Sequence, residues 1–128
     1  MNNQQHSYST LHQYAGVNYQ LTAGTLTQQG KDDPVFEYRS NRNSIPSLAF
    51  KRKSKGIYEC VSSGNFPEGR TRIILQLKSL DTENKTHLQV IGEDRLEIST
   101  VNKYGELHDS ILNHASLAIF IYDNKINQ

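Results

Sequence analysis

One cysteine in 128 residues, Cys60, excludes an intramolecular disulfide framework and leaves no cysteine cluster for a structural zinc. Whatever staples this chain must be packing or assembly. No run of residues approaches the roughly 20 consecutive apolar positions of a membrane span. Tryptophan is absent, only 35% of residues are hydrophobic and the mean hydropathy is −0.67. Apolar residues nevertheless recur at regular spacing through the chain, so the composition describes polar surfaces over a thin core rather than global disorder. A chain of this length fits one domain and can bury roughly two-thirds of its unfolded surface.

The dominant pattern between residues 17 and 122 is a succession of short runs rich in Val, Ile, Leu, Thr and Tyr, separated by Gly, Asn, Asp and Pro. Val17, Tyr19, Leu21 and Ala23 alternate, which sends them to one face of a strand. Val35, Phe36 and Tyr38 predict a second, short strand. Residues 47–62 read as a hairpin about Ser54-Lys55-Gly56, and Ile73, Leu75 and Leu77 alternate with mainly polar neighbours. Residues 87–91 and 95–101 flank Gly92-Glu93-Asp94 as another hairpin. Residues 106–114 fit a loop or a short helical turn. Leu117 to Tyr122 is apolar on both faces, as suits a strand placed centrally or against a partner. These elements predict an all-β fold: an antiparallel β-sandwich of about eight strands, jelly-roll-like, with a small barrel as the competing architecture. The sandwich domain is expected over residues 14–128. Residues 1–13, polar and without period, predict a flexible or partner-bound arm.

Charge is distributed unevenly. Residues 39–72 carry eight Lys or Arg against two Glu, whereas residues 73–128 carry five against eight acids. Arg39, Arg42, Lys51, Arg52, Lys53, Lys55, Arg70 and Arg72 therefore form a candidate partner-binding basic patch, suited to an acidic protein surface or simply to solvent. Nucleic acid is not the expected partner, because the net charge is only +1. A second candidate set is aromatic: Tyr8, Tyr14 and Tyr19 fall in and next to the arm, where amphipathic rings serve as interface anchors.

Catalytic readings find little support. His108, Asp109 and His114 make the only local cluster of titratable groups, but their spacing matches no metal-ligand pattern, and no metal or other cofactor is expected. Asp32-Asp33, Asp81-Thr82-Glu83 and Glu93-Asp94 sit at expected turns, where carboxylates satisfy backbone donors. Cys60 lies two residues after Tyr58 and shares its strand face, which predicts a small core residue rather than a nucleophile. The chain is therefore not expected to be an enzyme. A hydrolase would have to draw on His108, Asp109 and Ser110 with distant partners, and nothing in the spacing favours it. The alternative to a structural role is a monomeric module for a small ligand or glycan, with Phe50, Tyr58 and Phe66 as contacts.

Leu26-Thr27-Gln28-Gln29-Gly30 with Asp33-Pro34-Val35, then Lys55-Gly56-Ile57-Tyr58, Gly64-Asn65-Phe66 and Asp109-Ser110-Ile111-Leu112-Asn113 before Leu117 to Tyr122 together resemble a group of small β-rich hypothetical proteins of bacteria and their bacteriophages. The resemblance covers residues 17–122 and rests on turns and strand ends. It implies a β-sandwich without assigned enzymatic activity, serving as a virion accessory, fibre or surface-binding module, and it carries over no catalytic residue. From it a non-enzymatic structural or assembly module, a bacteriophage virion accessory of the decoration, fibre or connector type that binds neighbouring protein subunits, is the expected function. This chain departs from the pattern in its basic run at Lys51 to Lys55 and in its polar arm. Residues 1–7 have neither the charged start nor the apolar core of a secretory signal. The expected location is the cytoplasm at synthesis, and the virion afterwards if the resemblance holds.

Overall fold

The computed structural model describes residues 11–14, 17–39, 45, 47–78 and 83–124. They form nine strands and no helix: β1 (Leu11–Tyr14), β2 (Val17–Thr27), β3 (Val35–Tyr38), β4 (Phe50–Ser54), β5 (Ile57–Val61), β6 (Thr71–Gln76), β7 (Lys85–Ile91), β8 (Arg95–Val101) and β9 (Ala115–Tyr122). All pairings are antiparallel, in two sheets. Sheet A runs β1-β2-β9-β6, with β3 also on β2, and sheet B runs β4-β5-β8-β7. The expected all-β sandwich is what the chain adopts.

The strand beyond the expected count is β1. Its residues LHQY lack alternation, and the first three lie within the tract read as an arm, so the described part of the sheet includes residues 11–13, ahead of the start expected near Tyr14. A polar edge strand needs no apolar period, because backbone pairing to β2 carries it. β2 also runs longer than its alternating segment. It continues through Gly24 to Thr27, and its outer edge is shared: β1 pairs with its first part and β3 with its last. Gly24 permits this. A Cβ there would meet the Glu37 carbonyl oxygen and come within 2.7 Å of Phe36 Cζ.

β2, β9 and β6 come from the beginning, end and middle of the chain, a crossover arrangement, whereas β4–β5 and β7–β8 are sequential hairpins. In the first hairpin Gly56 takes φ +72°, which an L side chain rarely adopts, and lets the chain reverse over Lys55-Gly56. Residues 109–114 are consecutive turns rather than a helix, closed by Asn113 N–H to Ser110 C=O (3.2 Å) and Ala115 N–H to Leu112 C=O (2.9 Å).

The two sheets close over one core. Sheet A contributes Leu26, Ala115, Leu117 and Ile119; sheet B contributes Phe50, Tyr58, Cys60, Leu96 and Ile98. Ile45, Phe66 and Leu112 enter from loops, all but inaccessible to solvent. Burying each large aliphatic or phenylalanine side chain stabilises the fold by about 1.5–3 kcal/mol, so the loop residues are structural parts and not trimmings.

Candidate functional site

Among the described residues the most connected polar group is the Asp109 carboxylate. Oδ1 accepts hydrogen bonds from Arg52 Nε (3.1 Å), Gly56 N–H (2.9 Å) and the Tyr58 hydroxyl (2.7 Å), and Oδ2 accepts from an Arg52 terminal nitrogen (2.8 Å). Around this node lies buried Gln28. Its Nε2 donates to the carbonyls of Gly30 and Asp32, both at 2.9 Å, and its Oε1 accepts the Ser110 N–H at 2.7 Å and lies 2.9 Å from the Tyr58 hydroxyl. Thr100 extends the cluster: its hydroxyl donates to the His108 carbonyl at 2.8 Å, and its N–H donates to Gly56 C=O at 2.8 Å. The β2–β3 loop, the first hairpin, β8 and the turns before β9 are thereby tied together at one end of the sandwich.

The electrostatics of this node oppose acid–base chemistry. The Arg52 guanidinium, helped by Tyr58 and the Gly56 N–H, holds the Asp109 carboxyl well below the ordinary carboxylate range, against the contrary pull of burial. Burial, with the neighbouring Asp109 anion, raises the Tyr58 phenol. Arg52 is raised in turn by its bond to Asp109. An anion held this firmly is a poor base, and its acceptor positions are filled. Ser110 Oγ accepts the Gly30 N–H at 2.9 Å. Ser110 also has φ +73°, the conformation that lets its N–H reach Gln28 while Asp109 reaches Arg52. The trio read from sequence as hydrolase material is a clamp between loops. Cys60 is fully buried, and burial pushes its thiol up to about 11.

The described basic residues do not share a surface. Lys51 and Lys53 face outward on β4, and Lys53 sits 3.0 Å from Glu97 and 3.8 Å from Glu59. Arg52, between them, turns inward to Asp109. Lys55 is exposed in the hairpin turn and Arg39 follows β3. Arg70 uses its Nε to bond the Tyr122 carbonyl at 2.8 Å, and Arg72 projects from sheet A. Arg42 lies outside the described residues. Strand alternation and the change of sheet thus divide a run that is contiguous in sequence.

Of the tyrosines, Tyr8 lies outside the described residues, Tyr14 ends β1 opposite Val17, and Tyr19 is in β2 opposite Tyr122. The Tyr19 ring packs 5.4 Å from Phe120 and 5.7 Å from Tyr122. This group belongs to the outer face of sheet A, where register aligns Leu21 with Phe120, Ala23 with Ala118, and Ile74 with Ala118. Ile74 is 50% exposed. The outer face of sheet B is more charged, carrying Lys51, Lys53, Glu59, Lys85, His87, Gln89, Arg95 and Glu97, with Ile57, Val61, Ile91 and Val101 among them. The sequence signal for the apolar face was the two-sided apolarity of residues 117–122, which becomes a surface only once β9 is placed between β2 and β6.

Phe50, Tyr58 and Phe66, the expected ligand contacts, are core residues at 4%, 0% and 0% exposure. Two surface clefts, of about 330 Å³ beside Gln20, Ile45, Arg70 and Glu93 and about 300 Å³ beside Lys78, Ser110, Asn113 and His114, are open and polar. Among the described residues no group of three or more His, Cys, Asp or Glu could hold a metal ion, and no helix is long and apolar enough to cross a membrane. Comparison with protein-family models, curated proteins and solved structures finds no match for this chain.

Proposed function

We propose that this chain is a non-enzymatic assembly module that binds neighbouring protein subunits through sheet A. The observation that supports this reading is the aromatic and aliphatic group on the outer face of sheet A, Tyr19, Leu21, Ala118, Phe120, Tyr122 and Ile74, whereas the outer face of sheet B mixes exposed Val61 and Ile91 with paired charges. Aromatic rings with aliphatic neighbours are the material of interface centres. The self-satisfied Asp109 node points the same way, since its groups are committed to holding loops.

The resemblance of residues 17–122 to small β-rich proteins of bacteria and their phages supports a virion accessory as the setting, of the decoration, fibre or connector type. The test is the solution mass of the full chain beside that of Phe120→Lys, which places a charge at the centre of the aromatic group. The reading expects a defined oligomer that Phe120→Lys dissociates without unfolding. A monomer throughout would overturn it, and an oligomer indifferent to the substitution would overturn the role given to the aromatic group while leaving only an edge of sheet A as the contact.

A further inference from the structure

We infer that two copies of this chain pair antiparallel along β6, extending sheet A across a two-fold axis. The inference rests on the assembly reading and names its partner and contact strand. Among the described residues β6 is a terminal strand of sheet A, bonded only to β9. The Tyr122 N–H donates to Arg70 C=O at 2.8 Å, which sets the phase of the ladder. By the alternation of an antiparallel pair, the backbone groups of Arg72, Ile74 and Gln76 point to β9 and those of Thr71, Ile73 and Leu75 point to the open edge. None of the latter has a backbone partner among the described residues.

The edges of sheet B are defended. On β4 the edge-facing N–H of Arg52 is taken by the Asp33 carboxylate at 2.8 Å, and β7 carries Lys85 and His87 on its outer side. Among the described residues no side chain takes up the open backbone groups of β6, which carries exposed Arg72 and Ile74 on its outer side. One two-fold register uses every open group of the strand. It sets Ile73 opposite Ile73 of the second copy, and Thr71 opposite Leu75 in both directions, each pair exchanging two backbone hydrogen bonds. Half-buried Ile73 and Leu75 would then be covered on their open side. On the outer face the same register sets Arg72 opposite Ile74 and Arg70 opposite Gln76, so no like charges oppose one another. A second copy therefore matches this edge in hydrogen bonding and in charge, and the apolar outer faces of the two copies become contiguous.

Sedimentation equilibrium of the full chain against Ile74→Lys, Ile74→Glu and the double variant Arg72→Glu with Ile74→Lys tests the pairing. The substituted side chain is exposed, so circular dichroism should be unchanged. Ile74→Lys opposes Arg72 of the second copy and should weaken the dimer at least about tenfold, as expected for like charges directly opposed across strands. Ile74→Glu should retain the dimer, and the double variant should restore it. Equal loss in the Lys and Glu variants would overturn this pairing. So would an oligomer unaffected by Ile74→Lys but lost in Phe120→Lys, which would leave the assembly reading standing. A wild-type chain that stays monomeric would defeat both.

Discussion

Arg52 and Asp109, 57 residues apart in sequence, meet in a two-toothed ion pair with contacts of 2.8, 3.1 and 3.2 Å, their side chains 18% and 14% exposed. Arg52 comes from the middle of the basic run and Asp109 from the only cluster that looked chemical. Each takes up the other, which removes both from the list of groups available to a ligand and makes them the fastening of one end of the sandwich.

Replacing Asp109 with Asn keeps the shape and removes the charge. The amide would present N–H groups to donors it cannot accept from, and the Arg52 cation would lose its partner. The expected cost is about 2 kcal/mol, below the range for a fully buried pair because this one keeps some contact with water. Denaturant titration of the two chains measures it.

The same carboxylate makes a pH prediction. Its pKa in the folded chain is lowered from 3.8, so its stabilisation is complete above the unfolded value and is lost as pH falls toward the folded one. Unfolding free energy should decline below about pH 4 in the wild type and more shallowly in Asp109→Asn. Parallel curves for the two chains would remove Asp109 from the acid transition.

Gly56→Ala should be among the most damaging single-methyl changes. Gly56 has φ +72°, and an added Cβ would lie 2.7 Å from His108 N and 2.9 Å from Thr100 O, both backbone atoms of the clamp. Strain and overpacking together predict a loss on the order of 2–3 kcal/mol, read as a lower melting temperature. Gly92→Ala has positive φ but nothing within 4 Å, and should cost only about 1 kcal/mol.

These positions also mark what the sequence could and could not convey. The hairpins about Gly56 and Gly92 and the central place of β9 were legible, because turn residues and side-chain period are local signals. β1 was not, since an edge strand of polar residues carries no period. Gln28 sits in a polar stretch, yet it is buried by four long-range and local partners that no spacing announces. The basic residues looked like one patch because they are near in sequence. Alternation and the step from sheet B to sheet A between Val61 and Thr71 scatter them.

Cys60 should be silent in the folded chain. Full burial and a thiol pushed up to about 11 predict no reaction with a disulfide reagent at mildly alkaline pH until the core opens. The rate of labelling should equal the rate of unfolding, and faster labelling would mean the sheets part locally at β5.

Assembly through sheet A is tested most directly by light scattering of the purified full chain over a wide range of concentration. The account predicts a defined multiple of 14.6 kDa that dissociates on dilution. A mass of 14.6 kDa at every concentration, with the fold intact, would contradict it.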